Sequence, residues 1–451
     1  LGLKSLSIGE FDIGQGRAFF VLTWFILIIT TLGFTNLLDS RSGRAIRSLK
    51  SGIQMAESMG INTFRYKVVI FVLAALLASI AGWLMAHFQR TVNPSAFGLK
   101  MGIEYLFMAV VGGVGHVWGA VVGAGIIKIL DDQLQVLLPK LIGTSGSYEV
   151  IVFGIALVLV LKYLPEGLWS LVAKHMPRSD RKEDWLEAHY IEERSKPQKG
   201  ELVLDVQAIR KQFGGLVAVN DISFQIRAGQ VVGLIGPNGA GKSTTFNLIT
   251  GLLPLTSGSV SYRGGTISGL RSREIALRGM ARTFQHVKLI PDMTVLENVA
   301  MGAYGRGHEG VVSGLLRTNQ EEEKRFFKEA QRQLERIGIG QLMHELAGNL
   351  SMGSQRLMEI ARALCADPAL LLLDEPAAGL RHKEKQALAD VLRQLRHEGV
   401  SILLVEHDMD LVMEVCDHLV VMEFGTLLTQ GTPQQIQQSP EVRAAYLGTE
   451  H

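Results

Sequence analysis

The chain has 451 residues, of which 47% are hydrophobic and 20% are charged, and its formal net charge is only +2. That length suggests about two to four domains, and so small a net charge gives no reason to expect a nucleic-acid partner. The two cysteines, Cys365 and Cys416, are too few for a disulfide framework and favour a reducing compartment for the part that contains them.

The composition divides the chain into a membrane-like first third and a soluble remainder. Up to about residue 174 the sequence is dominated by apolar residues and glycine, whereas from about residue 200 its charges are spread as in a soluble α/β domain. Residues 176–200 are charged and contain no long apolar stretch, which predicts a linker. We therefore expect a transmembrane domain over residues 1–175 and a nucleotide-binding domain over residues 201–451.

Three segments of the first third are long and apolar enough to cross a bilayer, which requires about 20 residues. They cover residues 19–38, 68–88, and 150–163 with its flanks. A fourth apolar stretch, residues 103–138, is interrupted by glycines and is expected to form two short helices or a re-entrant pair. We expect these glycines to serve close helix packing, and direct contact with a substrate is the alternative.

The loop between the first two predicted spans is basic. It carries four arginines and two lysines against one aspartate and one glutamate, so the positive-inside rule places it on the cytoplasmic side. Apolar residues recur in it at three- and four-residue steps from Ile46 to Met59, which predicts an amphipathic helix. Such a helix either lies on the lipid headgroups or presses into a soluble partner.

The second part of the chain contains a phosphate-binding loop. GPNGAGKS follows an apolar, strand-like run and precedes a segment with helical spacing, which is the order that such a loop requires. Its glycines allow backbone N–H groups to converge on phosphate oxygens. Lys242 is expected to reach the β and γ phosphates, and the Ser243 hydroxyl to ligate Mg²⁺. The residues expected to bind ATP here are Gly236, Asn238, Gly239, Ala240, Gly241, Lys242, Ser243 and Thr244.

A second apolar run, ALLLLDEP, ends in two carboxylates. A buried strand of a parallel sheet would deliver Asp374 and Glu375 at its carboxyl edge. There Asp374 is suited to hold Mg²⁺, and Glu375 to polarise the water that attacks the γ-phosphate. The alternative is that the two carboxylates cap a helix.

Further segments make the sequence resemble ATP-binding cassette (ABC) proteins. RTFQ places Gln285 where that family has a glutamine that touches Mg²⁺ and the transmembrane partner, and ILLVEHDM places His407 at the family's switch histidine. LSMGSQRLMEIARAL resembles the signature motif, in which Ser351 and Gly353 would bind the γ-phosphate held by the opposite subunit. Phe213 resembles the aromatic residue that stacks on adenine. The resemblance implies an α/β P-loop NTPase fold that binds ATP and Mg²⁺.

Longer stretches are similar to one subfamily. RTFQHVKLIPDMTVLENV, DEPAAGL and PEVRAAYLG resemble the ATPase of high-affinity branched-chain amino acid uptake systems, and LFMAVVGGVGHVWGAVVGA resembles a permease of the same systems. This implies the C-terminal part of a permease fused to its ATPase, importing branched-chain amino acids, or related small amino acids or amides, across the bacterial inner membrane. The implied partners are a second permease subunit, a second ATPase subunit, a periplasmic substrate-binding protein and membrane lipid. We expect the helix around Arg44 to Met59 to dock beside Gln285.

Some features depart from that family. The family has more membrane spans, and the chain begins with Leu1, so we expect its permease part to be N-terminally incomplete. Met352 and Ser354 alter the signature, and Arg381 and His382 follow DEPAAGL where Asn-Pro is usual. These changes motivate the alternative of a regulatory or non-hydrolysing subunit. A lipid or lipopolysaccharide export ATPase is the other alternative, and the permease-like first third argues against it.

Overall fold

The structure is a computed structural model, which describes residues 6–8, 11–12, 16–92, 98–142, 149–164, 167–175 and 183–447. The chain divides into two compact units. One comprises Leu1–Leu37 and Ile70–Lys182, and the other comprises Leu38–Val69 and Glu183–His451. The basic loop between the first two predicted spans therefore folds with the nucleotide-binding part of the chain.

Apolar helices make up most of the first unit, after a short hairpin of β1 (Ser7–Ile8) and β2 (Phe11–Asp12). The helices are α1 (Gly16–Leu38), α4 (Thr63–Gln89), α5 (Leu99–Gly112), α6 (Val117–Ile142), α7 (Glu149–Tyr163) and α8 (Leu168–His175). The intervening helices α2 (Arg41–Ser51) and α3 (Ile53–Ser58) belong to the second unit.

Among the described residues, α1 and α4 are the helices long and apolar enough to cross a membrane. They have 23 and 27 residues, which gives lengths of about 35 and 40 Å, more than the roughly 30 Å of a bilayer's hydrocarbon core. The first two predicted spans are thus confirmed as helices of sufficient length. The third predicted span corresponds to α7, which has only 15 residues. Its flank at 143–148 lies outside the described residues.

Glycines set the close approach of α5 and α6. A Cβ atom added to Gly112 would lie 2.0 Å from the carbonyl oxygen of Gly119, and one added to Gly123 would lie 2.1 Å from that of Met108. No side chain fits in either place, so the packing interpretation is confirmed at these positions. The stretch also forms two helices as predicted, although α6, with 26 residues, is not a short one.

Two sheets form the centre of the second unit. A six-stranded sheet has the order β12-β11-β5-β10-β9-β8, parallel except for the β11–β12 pair, and a four-stranded antiparallel sheet has the order β4-β3-β6-β7. The strands are β3 (Leu202–Phe213), β4 (Leu216–Arg227), β5 (Val231–Ile235), β6 (Ser257–Tyr262), β7 (Gly265–Thr266), β8 (Met280–Arg282), β9 (Leu370–Asp374), β10 (Ser401–Val405), β11 (His418–Glu423) and β12 (Thr426–Gly431).

Both faces of the six-stranded sheet are covered, which explains the continuous apolar runs of its central strands. In β9, Leu371 and Leu373 face one hydrophobic core, while Leu370 and Leu372 face another that also contains residues of β3 and β4. The helices of this unit are α9 (Lys242–Ile249), α10 (Ser272–Leu277), α11 (Val295–Ala300), α12 (Val311–Leu316), α13 (Gln320–Arg336), α14 (Met352–Leu364), α15 (His382–His397), α16 (Met409–Val415), α17 (Pro433–Gln438) and α18 (Pro440–Leu447). The α/β P-loop fold expected for this part is confirmed.

The amphipathic segment of the basic loop is two helices, and the prediction of one continuous helix from Arg44 to Met59 is wrong. Gly52 separates α2 from α3 with φ of +130°. Residues with a side chain rarely adopt that conformation, and it cannot continue a helix. At the other end of α2, the Ser40 side chain accepts a hydrogen bond from the N–H of Gly43 and caps the first turn.

The predicted linker is ordered where the structure describes it. Residues 183–197 have no regular helix or strand beyond a turn at 184–188, yet Trp185 is only 1% exposed. The first part of the predicted linker, residues 176–182, lies outside the described residues.

Candidate active site

The phosphate loop joins the buried strand β5 to helix α9. Gly236, Gly239 and Gly241 all have positive φ angles, of 149°, 82° and 93°. A Cβ atom on Gly236 would lie 2.1 Å from the carbonyl oxygen of Met422. The backbone of the loop is therefore shaped by residues that lack a side chain, as its predicted role requires. Asn238 and Ser243 are exposed, so a nucleotide can reach both.

Lys242 is folded back onto this loop. Its Nζ donates hydrogen bonds to the carbonyl oxygens of Gly236, at 2.7 Å, and Pro237, at 2.9 Å. Burial lowers the pKa of Lys242, while the negative charge of Glu375 opposes that shift. The ammonium group thus lies within the loop, held by two backbone carbonyl oxygens.

The two predicted carboxylates lie at the end of β9, and the helix-capping alternative for them is not what the structure shows. Asp374 is 6% exposed, and burial, opposed by Arg282 and reinforced by Glu375, raises its pKa to about 6. Among the described residues, none forms a hydrogen bond with its buried Oδ1. A buried carboxylate oxygen without a donor fits the preference of Mg²⁺ for hard oxygen ligands.

Glu375 is held directly beside Gln285. The Gln285 Nε2 donates to the Glu375 Oε2 at 3.0 Å, and the Glu375 N–H donates to the carbonyl oxygen of Val405. Glu375 has φ of +48°, an uncommon conformation for a residue other than glycine, which costs on the order of 1–3 kcal/mol and is concentrated at functional sites. The structure therefore brings together two of the three predicted catalytic residues.

The third, His407, follows β10 and has a side chain that is 60% exposed. Its neighbour Glu406 is fully buried and accepts hydrogen bonds from the N–H groups of Ala377, at 2.6 Å, and His407, at 3.0 Å. Glu406 thereby joins the segment after Glu375 to the segment of His407. Sequence reasoning missed Glu406, although a carboxylate directly after a buried strand was a signal for it.

The signature residues lie at the start of α14. The Ser351 hydroxyl accepts a hydrogen bond from the N–H of Ser354 and caps the helix. A Cβ atom on Gly353 would lie 2.5 Å from a carboxylate oxygen of Glu384 in α15. The described contacts of both residues are thus with α14 and α15 rather than with the phosphate loop of the same chain. Phe213 ends β3, with its side chain 45% exposed and the Lys211 Nζ 5.0 Å from its ring centre.

Two arginines that sequence reasoning missed connect these parts. The guanidinium carbon of Arg282 lies 4.8 and 4.7 Å from the ring centres of Phe246 and Phe284, and Arg282 donates to Thr250 of the segment after α9 at 2.7 Å. Arg356 of α14 donates to the backbone carbonyl oxygens of Phe284 and Gln285. The residues next to Gln285 are therefore tied both to the phosphate-loop helix and to the signature helix.

Helices α2 and α3 lie against this same segment, as predicted for the basic loop. Met55 of α3 is 1% exposed and packs with Phe284, Ile290, Met293 and Met301. Outside this cluster, the Ser51 hydroxyl donates to the carbonyl oxygen of Leu289 at 3.0 Å. These contacts confirm the prediction that the loop docks beside Gln285. They do not support the alternative of a helix that lies only on lipid headgroups.

The loop is also held by charge at the start of α13. Arg44 is 3% exposed and forms an ion pair with Glu323 at 2.7 Å. Arg41 donates to the carbonyl oxygen of Tyr304 from its Nε, at 3.0 Å, and from its Nη2, at 2.7 Å. The basic character of the loop, read as a topology signal, therefore also serves specific contacts with the cassette.

A phosphate loop, a buried strand ending in two carboxylates, a glutamine bound to one of them and a serine-capped signature helix define an ABC-type ATPase. Sequence comparison agrees: residues 219–378 match the ABC transporter family, residues 6–161 match the permease component of branched-chain amino acid transport systems, and residues 426–451 match the branched-chain amino acid ATP-binding cassette transporter family.

The chain belongs to the branched-chain amino acid transport family of ABC proteins. It is 44% identical over 249 residues to the high-affinity branched-chain amino acid transport ATP-binding protein LivG of Salmonella typhimurium, covering 54% of this chain and 98% of the relative. It is 42% identical, with the same coverage, to BraF of Pseudomonas aeruginosa, which carries the same description. A solved structure of a nucleotide-free ATP-binding cassette is 32% identical, covers 54% of this chain and 98% of its own, and has a TM-score of 0.48.

Proposed function

We propose that this chain is a fused permease and ATPase subunit that imports branched-chain amino acids, or related small amino acids or amides, across the bacterial inner membrane. Residues 1–175 would form the multi-pass permease part, residues 176–200 a connection, and residues 201–451 a cytoplasmic cassette. The observation that carries the proposal is the docking of the permease loop, residues 41–61, on its own cassette beside Gln285. ATP-driven movement in the cassette can then reach the membrane part through that loop.

In the proposed ATP site, the phosphate loop and Lys242 would bind the phosphates, and Ser243, Gln285 and Asp374 would hold Mg²⁺. The metal would neutralise charge on the phosphate oxygens. Glu375 accepts a proton from water as the water oxygen bonds to the γ-phosphorus, and the bond to the bridging oxygen breaks to leave ADP and phosphate. The hydrogen bond from Gln285 supports this role because it positions the Glu375 carboxylate.

A complete site needs a second cassette. Ser351 and Gly353 do not contact the phosphate loop of their own chain among the described contacts, which supports a role in binding the γ-phosphate of a partner ATPase subunit. His407 would complete the site as the switch residue, and Phe213 would stack on adenine. A second permease subunit and a periplasmic substrate-binding protein complete the proposed assembly, which lies in membrane lipid.

The test is uptake of labelled leucine, isoleucine, valine, urea and a polar control by cells that carry this chain with its neighbouring subunits. The matched cells carry Glu375→Gln. Loss of branched-chain uptake alone in the variant supports both the direction and the substrate class. Equal uptake of every substrate in both cells contradicts the proposal, and ATP hydrolysis by the purified wild-type assembly then separates an exporter from a non-hydrolysing subunit.

A further inference from the structure

The segment that follows the membrane part is fastened to the cassette along α13. We name residues 183–197 the strap. The Trp185 side chain is buried against the ring of Phe327, with ring centres 5.7 Å apart, and its Nε1 donates to Gln331 at 2.8 Å. The Lys328 ammonium donates to the backbone carbonyl oxygens of Leu186, at 2.9 Å, and Ala188. One face of α13 thus binds both a side chain and the backbone of the strap.

Polar contacts hold the rest of the strap. Arg306 donates to the carbonyl oxygen of Glu192 at 2.9 Å, and Glu193 pairs with Arg332 of α13 at 2.9 Å. Lys196 pairs with Asp367, which follows α14, at 3.0 Å. A charged segment of this composition would be mobile if it were only a tether, because ordering a chain costs conformational entropy. Burial of an indole and charge-assisted bonds at several points offset that cost.

The basic permease loop contacts the same helix. Arg44 of α2 pairs with Glu323 of α13 and places its guanidinium 5.0 Å from the ring centre of Phe327. The Phe327 ring is therefore in contact with both Arg44 of the basic loop and Trp185 of the strap. After α13 the chain continues through 3₁₀ turns at Gly340–Leu342 and Ala347–Asn349 to Ser351. The basic loop and the strap therefore both contact the helix that leads to the signature motif.

We infer that the strap is a second coupling contact between the permease part and the cassette, and that Trp185 is its positioning residue. The inference rests on the proposed function. The surface of α13 formed by Phe327, Lys328 and Gln331 is the docking site, and its occupant is the strap of the same chain. A slack tether cannot transmit a displacement, whereas a strap fixed along α13 moves when α13 moves. The strap precedes β3 and lies before residue 219, where the match to the ABC transporter family begins.

The experiment uses the full chain with its partner subunits in lipid nanodiscs, in a Glu375→Gln background that holds ATP. Single cysteines at Leu106, Val114 or Ile126 report on the membrane part through their rate of maleimide labelling with and without ATP. All three positions are exposed in the isolated chain, and the natural cysteines, Cys365 and Cys416, are buried. In the parent we expect ATP to change the labelling rate of at least one reporter.

Adding Trp185→Ala should remove most of that change while ATP affinity, measured separately with a fluorescent analogue, stays at the parent value. Trp185→Phe keeps a ring against Phe327 and should restore most of the response. Leu186→Ala is the matched control, because this neighbouring side chain is 49% exposed, and it should respond as the parent does. If Trp185→Ala impairs folding, Lys328→Met, which removes the two bonds to the strap backbone, is expected to give the same loss of response.

Three results would overturn the inference. An unchanged ATP response in both Trp185→Ala and Lys328→Met shows that the strap transmits nothing. A parallel loss of ATP affinity and response shows that the strap only stabilises the cassette. No response in the parent itself contradicts ATP-driven transport, and this failure is distinguishable because it appears before any strap residue is changed.

Discussion

The membrane unit and the cassette differ in what holds them together. In the cassette, Leu370, Leu372 and Leu403 are completely buried between sheets and helices, so removal of apolar surface from water stabilises the fold. In the membrane unit, Phe71 is 74% exposed and Leu106 is 64% exposed. Because these side chains are not buried within the unit, they do not stabilise it through the hydrophobic effect. Close backbone packing, as between α5 and α6, and a small buried cluster of Phe107, Val111 and Ile127 hold its helices together.

The same residue type therefore has a different structural role in the membrane unit and in the cassette. Glycine in the cassette provides positive φ angles, as at Gly236, whereas Gly112 in the membrane unit provides space for a neighbouring helix. Charge differs too. In the cassette Asp374 and Glu406 are buried at the ends of strands, whereas Arg44 of the docked loop is buried in an ion pair with Glu323 of α13.

The largest effect is expected from a substitution that abolishes ATP hydrolysis in the cassette and leaves the membrane unit unchanged. Glu375→Gln should reduce ATP hydrolysis by about 10²–10⁴-fold, because the amide cannot accept the proton of the attacking water. ATP binding should persist, since the phosphate loop and Lys242 are unchanged. Release of inorganic phosphate measures ATP hydrolysis, and equilibrium binding measures the affinity for ATP. Hydrolysis at the wild-type rate in the variant would show that Glu375 is not the general base.

Breaking the ion pair that holds the basic loop on the cassette should have the next largest effect. Arg44→Met leaves the Glu323 carboxylate, whose side chain is 12% exposed, without its cation. Loss of one partner from a buried pair costs about 3–5 kcal/mol, so the midpoint of thermal unfolding of the purified assembly should fall. The double variant Arg44→Met with Glu323→Met should recover part of that loss.

Lys50→Met is the control for this change, because Lys50 is exposed at the end of the same helix. It should unfold at nearly the wild-type temperature, since exposed charges contribute little. Equal midpoints for Arg44→Met and Lys50→Met would mean that the ion pair does not fasten the loop.

Alanine substitution at two glycines of the membrane unit should change its stability by smaller amounts and in opposite directions. In Gly112→Ala the new Cβ meets the Gly119 carbonyl oxygen, so α5 and α6 must move apart, at a cost of about 1–3 kcal/mol. At Gly125, in the same hairpin, nothing lies within 4 Å of an added Cβ. Alanine there should be neutral or stabilising by roughly 0.5–1 kcal/mol. Thermal unfolding in detergent distinguishes them, and equal behaviour would argue against glycine-mediated packing.

Much of the cassette could be predicted from its sequence because each motif depends on local geometry. The run that ends at Asp374 corresponds to β9, and the glycines of the phosphate loop adopt the positive φ angles that only their residue type allows without strain. The break at Gly52 was missed because the apolar periodicity continues across it. Trp185 and Arg282 were missed because their roles depend on partners distant in sequence, such as Phe327 and Thr250, which no local pattern identifies. Glu406 had a local signal in its position directly after a buried strand, but its partner Ala377 could not be identified from the sequence.

The smallest perturbation tests whether docking of the permease loop is a permanent contact. Cysteines at Ile53, which begins α3, and at Val287, two residues after Gln285, should be joined by a short bismaleimide reagent both with and without ATP. Met55, Ser51 and their cassette partners already place α3 and the Gln285 segment side by side. Leu216→Cys replaces Val287→Cys in the control pair, because Leu216 is exposed on β4 of the other sheet. A link that forms only with ATP would show that the loop docks only when the cassette binds ATP. If no link forms under any condition, docking beside Gln285 is contradicted, because the reagent needs only a short distance between two accessible thiols.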